Sequence, residues 1–127
     1  MPTGKSPNPV RAPNLNTELF AFSFRPNGAS AISATTNLGA GFSVVRTSAG
    51  LFTVTVSAIF ASTPVVTLGL QTNAAPTGAA DLRIAGAIAM ASGVTTFAIE
   101  YRDATVATDL ASSANTRIHV HLVGSSV

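Results

Sequence analysis

The sequence predicts an all-β domain: a two-sheet antiparallel β-sandwich, in the form of an eight-stranded jelly roll, preceded by an extended N-terminal arm. Three observations carry that expectation. Apolar residues recur with a period of two rather than 3.6, the mark of half-buried strands. Turn residues break the apolar segments at short intervals, and no segment repeats convincingly at helical spacing. The 127 residues allow one domain, since domains run to roughly 100 to 150 residues.

Residues 1–17 read as the arm. Pro2, Pro7, Pro9 and Pro13, four of the seven prolines, lie here with Lys5 and Arg11. Proline has no amide proton and a fixed φ, so the segment suits neither a helix nor a central strand. A terminal tail without fixed structure is the alternative reading. The sandwich is expected over 18–127.

In the first strand Phe20, Phe22 and Phe24 share one face and alternate with Ala21 and Ser23. Pro26, Asn27 and Gly28 then form a turn. A weaker strand is expected over 31–35. Residues 41–47 and 51–60 flank Ser48, Ala49 and Gly50 as a hairpin. In its second strand Phe52, Val54, Val56, Ala58 and Phe60 face one way, and Thr53, Thr55 and Ser57 the other. Pro64 ends that segment, and 65–71 is the next strand before a loop of Ala, Gly and Pro over 72–80.

Leu82, Ile84, Ile88 and Met90 form a further apolar face, opposed by Ala85, Ala87, Ala89 and Ala91. An alanine-rich helix is the alternative over this stretch. Ser92 and Gly93 turn the chain into 94–102, where Phe97, Ile99 and Tyr101 alternate with Thr96, Ala98 and Glu100. After a polar loop over 103–115 comes a last strand, 116–123. Ile118, Val120 and Leu122 face one way along it, Arg117, His119 and His121 the other. An immunoglobulin-like sandwich is the structural alternative, but the sequence has neither the Cys nor the Trp that mark it.

Charge is sparse. Asp, Glu, Lys and Arg make up 9% of the chain, where a soluble domain carries about 25%. A small domain buries only a modest share of its surface, so Ser, Thr and Asn must keep most of it wet. This predicts that other protein covers part of the surface, in a homotrimer or another symmetric oligomer. The net charge of +2 comes from few groups, without the clustered Lys and Arg interleaved with aromatics that nucleic-acid binding requires. No nucleic-acid partner is expected. The longest apolar run, 84–91, is far short of the roughly 20 residues that cross a bilayer, so no membrane partner is expected either. The first twenty residues lack a basic start followed by an apolar run, which predicts synthesis in the cytoplasm.

The residues offer little chemistry. With no cysteine there are no disulfides, thiolate metal sites or cysteine nucleophiles. The carboxylates Glu18, Asp81, Glu100, Asp103 and Asp109 read as solvated charges, four of them at strand ends or in loops. No G-x-S-x-G elbow, phosphate loop or dinucleotide fingerprint occurs. The chain is therefore not expected to be an enzyme or to take a cofactor.

His119 and His121 are the one sharp arrangement. Two residues apart on a strand, they project from one face about 6 to 7 Å apart, near enough to share a metal. A closed zinc site needs about four ligands. The chain has no other His or Cys, so the rest would come from carboxylates or symmetry-related histidines. The reading adopted is metal-free: with Arg117, both rings line a polar seam between subunits or meet solvent. In such a seam they would also be candidate pH sensors.

The hairpin GFSVVRTSAGLFTVTV over 41–56 and the late strand TRIHVHLV over 116–123 resemble small jelly-roll proteins of tailed bacteriophages. A V-x-R-T-x-x-G-x-[YF]-T-V-T hairpin and a closing R-I-x-V-x-L strand recur there, in capsid decoration (cement) proteins and in some tail-fibre modules. The fold of that group is similar to trimeric C1q and tumour-necrosis-factor-like domains. The resemblance implies a structural virion protein on the outer capsid surface. It would be a trimer or other symmetric oligomer that clamps neighbouring major capsid proteins and stabilises the head. Lys5, Pro7, Pro9, Arg11 and Pro13 would then be the capsid-docking arm, and Arg117, His119 and His121 the oligomer seam. The alternative is a tail-fibre, spike or lectin-like module reading a receptor or glycan through the loops over 72–80 and 103–115.

Overall fold

The computed structural model describes residues 16–57, 60–73, 80–125 and 127. They form β1 (Thr17–Phe24), β2 (Phe42–Ser48), β3 (Leu51–Ser57), β4 (Val65–Gln71), β5 (Ala80–Ala91), β6 (Val94–Asp103), β7 (Val106–Ala107) and β8 (Arg117–Ser125). Every pairing is antiparallel. The strands make two sheets, one ordered β1-β8-β4 and one ordered β2-β3-β6-β5 with β7 added to β6. The fold is an all-β sandwich whose strands divide three and five. The first strand pairs with the last and the third with the sixth, so the chain winds back and forth between the layers.

Alternation places the core between the sheets. In β3, β6 and β8 every second residue is buried: Phe52, Val54 and Val56; Thr95, Phe97, Ile99 and Tyr101; Ile118, Val120 and Leu122. Phenylalanines bridge the layers. Phe22 of β1 stacks on Phe42 of β2 with ring centroids 4.0 Å apart, and Phe24 meets Phe52 edge-on at 5.2 Å. Such aromatic pairs add about 0.5 to 1.5 kcal/mol beyond the area they bury.

Two segments depart from the sequence expectation, 31–35 and 103–115, and a third, 80–91, keeps the expected strand but adds a bulge. The strand expected over 31–35 is absent. A 3₁₀ turn, Ala34–Thr36, stands there instead, with an isolated bridge between Leu38 and Ser23 after it. Local bonds compete with strand pairing in this segment: the Ser33 and Thr35 hydroxyls lie 2.8 Å apart, and the Thr36 hydroxyl donates to the Ser33 carbonyl at 2.9 Å.

Residues 80–91 form a strand and not the alternative helix, with a bulge between Ala85 and Ala89. Ala85 pairs with Ala98 and Ala89 with Thr96, so β5 carries two more residues than β6 across the gap. An even insertion preserves the side-chain parity. Ile84 before the bulge and Ile88 and Met90 after it therefore all pack against the core, while Gly86 takes the left-handed conformation with φ +85°.

The loop over 103–115 contains the two-residue strand β7, folded back on β6 around Ala104 and Thr105, which have φ of 50° and 72°. Two successive positive φ values suit the right-handed twist of a tight hairpin. β1 begins at Thr17, one residue before the expected boundary. Of the expected arm, Lys5, Pro7, Pro9, Arg11 and Pro13 lie outside the described residues.

Candidate functional site

Because β8 is the middle strand of the three-stranded sheet, its outward residues lie at the centre of an open face. The pairing sets the rows across it: Leu19, Val123 and Val65; then Ala21, His121 and Thr67; then Ser23, His119 and Gly69. The first row is apolar and open to solvent, with Leu19 64%, Val123 39% and Val65 68% exposed. At the β1 edge Leu38, 59% exposed, continues the surface through its bridge to Ser23. A shallow depression lined by Ala21, Ser23, Leu38, Gly39, His119 and His121 lies between that edge and the histidines. None of the nine residues in the three rows is an acid, a lysine or an arginine.

His119 and His121 thus share one face, as the strand period predicts. His119 Nε2 lies 3.2 Å from Gln71 Oε1 on β4, while His121 stands exposed between Ala21 and Thr67. Arg117 starts on the same face but turns aside. Both its terminal nitrogens donate to the Thr36 carbonyl, Nη1 at 2.9 Å, which ties the end of β8 to the 3₁₀ turn. Among the described residues no group of three or more His, Cys, Asp or Glu is placed to hold a metal ion.

The outward face of the five-stranded sheet is built of small residues. One row runs Ser43, Thr55, Thr96 and Ala89, the next Val45, Thr53, Ala98 and Ala85. Its charges gather at one end. Arg83 lies 2.9 Å from Glu100 and 3.9 Å from Asp81, and Arg102 lies 3.8 Å from Glu100. Two acids and two bases neutralise one another there.

Asp109 is likewise held in an ion pair. Arg46 grips it with two parallel bonds, Nε to Oδ1 at 2.9 Å and Nη2 to Oδ2 at 2.8 Å, while the Gly50 amide donates to Oδ1 at 3.0 Å. The hydrogen bond from Arg46 holds the carboxyl below the ordinary carboxylate range, with partial burial opposing it and the Gly50 amide assisting. A group whose pKa is depressed on folding contributes stability above its unfolded pKa and loses it as pH falls through the folded value. Asp109→Asn should therefore flatten the acid limb of the stability curve below about pH 4. Urea unfolding at pH 5 and pH 2.5 measures this, and an unchanged difference between the two pH values would refute it.

The apolar row of Leu19, Val123 and Val65 escaped the sequence reading. Its signal was available in β1, where Leu19 falls opposite the three phenylalanines and so must point outward. Its neighbours Val65 and Val123 follow only once β1 and β4 are known to flank β8. No family model, curated protein or solved structure matches the chain.

Proposed function

We propose that the chain is a structural virion protein that binds the outside of a tailed-phage head as a symmetric oligomer, a homotrimer, and stabilises it by clamping major capsid proteins. The observation that carries this reading is the face of β1, β8 and β4. Eight neighbouring exposed or half-buried positions there, Ser23 itself being buried, offer an apolar row, small residues and two imidazoles with no charge that contact with another copy would leave unpaired. Burying such a face incurs none of the desolvation cost that lone charges would bring. The stretches that resemble phage decoration proteins fold as the β2–β3 hairpin and as β8, the strand at the centre of this face.

Size refines the proposal. Strands about 4.8 Å apart, rising about 3.3 Å per residue, give this face roughly 400 Å². A stable interface takes about 800 Å² from each partner. The arm, residues 1–17, is proposed to supply further contact and to dock on the capsid, where many weak contacts gain from valency. The tail-fibre or lectin-like reading has less support, because the single tyrosine, Tyr101, packs in the core at 6% exposure and offers no ring to a sugar.

Light scattering of the purified chain, followed by sedimentation with tailed-phage heads, tests the proposal. The expected result is a trimer that co-sediments and raises the temperature at which heads burst. Val123→Glu, at the centre of the apolar row, should give a folded monomer with native circular dichroism that no longer sediments with heads. A wild-type monomer at tens of micromolar that ignores heads would overturn it.

A further inference from the structure

Five arginines lie among the described residues, and three of them, Arg46, Arg83 and Arg102, form ion pairs. Arg25 and Arg117 have no acidic partner among the described residues. The β1–β8 register ends at Phe24 opposite Ile118, so these two arginines come next on either side and share the outward parity. The Nε donors of both are shielded from solvent and have no hydrogen-bond partner among the described residues. Buried donors left unsatisfied are costly and uncommon in native proteins.

A cleft opens beside them, lined by Arg25, Pro26, Asn27, Ser33, Thr36 and Ser112. Its walls are held by internal bonds. The Asn27 amide donates to the Ala31 carbonyl at 2.9 Å, the Thr36 hydroxyl donates to the Ser33 carbonyl, and Gly28 donates its amide to the Leu110 carbonyl at 2.9 Å. The Thr36 carbonyl accepts from Arg117 behind the wall. Among the described residues Arg25 and the Ser112 hydroxyl, which also line the cleft, make no such bond. A guanidinium without an acidic partner, a hydroxyl lining the same cleft and a second cation bonded to the cleft's Thr36 suit an oxyanion.

We propose that this cleft binds a small oxyanion, a phosphate or a carboxylate group, held by the Arg25 guanidinium and stabilised by the charge of Arg117. The site does not depend on the virion reading. It lies at the end of the open face away from the apolar row, where an anionic group of a partner or a free ion would reach it from solvent.

The test is an NMR titration of the full-length protein that follows the arginine Nε–Hε signals at pH 7.5. Inorganic phosphate is added in one arm and acetate in the other, with chloride holding ionic strength constant. The expected result is a saturable shift of the Arg25 signal, with Arg83 unmoved as a control for screening. Arg25→Gln should weaken binding by about tenfold or more, the loss expected when a charge-assisted bond is removed. Arg25→Lys should keep part of it, since the charge remains without the fork. If Arg25→Gln does not fold, Ser112→Ala takes its place, with a smaller loss expected. A response to phosphate alone supports an inorganic or ester phosphate as the ligand, and a response to acetate alone supports a protein carboxylate. Shifts that fail to saturate in both arms, or that Arg25→Gln leaves unchanged, would overturn the proposal and leave a bridging water as the partner of the buried donors.

Discussion

Replacing Gly50 with alanine should destabilise the domain by about 4 kcal/mol, the sum of a left-handed backbone cost of about 1 to 2 and an overpacking cost of about 1 to 3. Gly50 has φ +67°, and a Cβ there would lie 2.5 Å from the Tyr101 carbonyl oxygen, 2.6 Å from the Thr108 amide and 2.7 Å from the Thr108 carbonyl oxygen. All three are backbone atoms, which cannot swing away as a flexible side chain would. The new methyl would fall on the hydrogen bond from the Thr108 amide to the Tyr101 carbonyl. It would also push against the segment that carries Asp109 to Arg46. Against a total stability of about 5 to 15 kcal/mol, much of the margin goes. The midpoint of thermal unfolding should fall by about 15 to 25 °C. Gly28 separates strain from collision: its φ is also positive, at +58°, but a Cβ there would meet nothing within 4 Å. Gly28→Ala should therefore cost only about 1 to 2 kcal/mol. Equal losses at the two positions, measured by urea unfolding, would refute the collision.

Phe52→Ala should cost about 3 to 5 kcal/mol, the usual penalty for emptying an aromatic site in a core. Phe52 is fully buried, and its ring meets Phe24 across the two layers. The cavity would open between the sheets, where a sheet cannot shift to fill it without breaking its own pairing. Phe24→Ala should cost a similar amount, and the double variant less than the sum, since each substitution removes the same ring contact. Full additivity in a double-mutant cycle would mean that the two rings do not support one another.

Much of this architecture is legible in the sequence because aromatic and β-branched residues alternate without interruption where the strands are central. Phe52 to Val56, Phe97 to Tyr101 and Ile118 to Leu122 each announce both a strand and its buried side. The turn at Ser48, Ala49 and Gly50 is equally plain. Other features depend on partners distant in sequence. Arg46 and Asp109 are 63 residues apart, and nothing in their spacing joins them. The segment 31–35 has the composition of a weak strand, but its hydroxyls bond locally and curl it into a turn. The same distance effect divides the candidate sites. His119 and His121 fall on one face by period alone. The turning aside of Arg117 and its placement beside Arg25 require the β1–β8 register and the position of Thr36.

That register also bears on how the molecule is made. Thr17 is zipped to Ser125, and β8 is the strand between β1 and β4. Until the ribosome has released β8, neither flanking strand has its partner, while every strand of the other sheet is already synthesised. Until then the inner phenylalanines of β2, β3 and β6, Phe42, Phe52 and Phe97, lack the complete second layer. Pairings between strands so far apart in sequence form slowly, and uncovered apolar surface invites aggregation in the meantime. The open face proposed for assembly therefore exists only once β8 has joined β1 and β4, so copies cannot join through it before that sheet has formed.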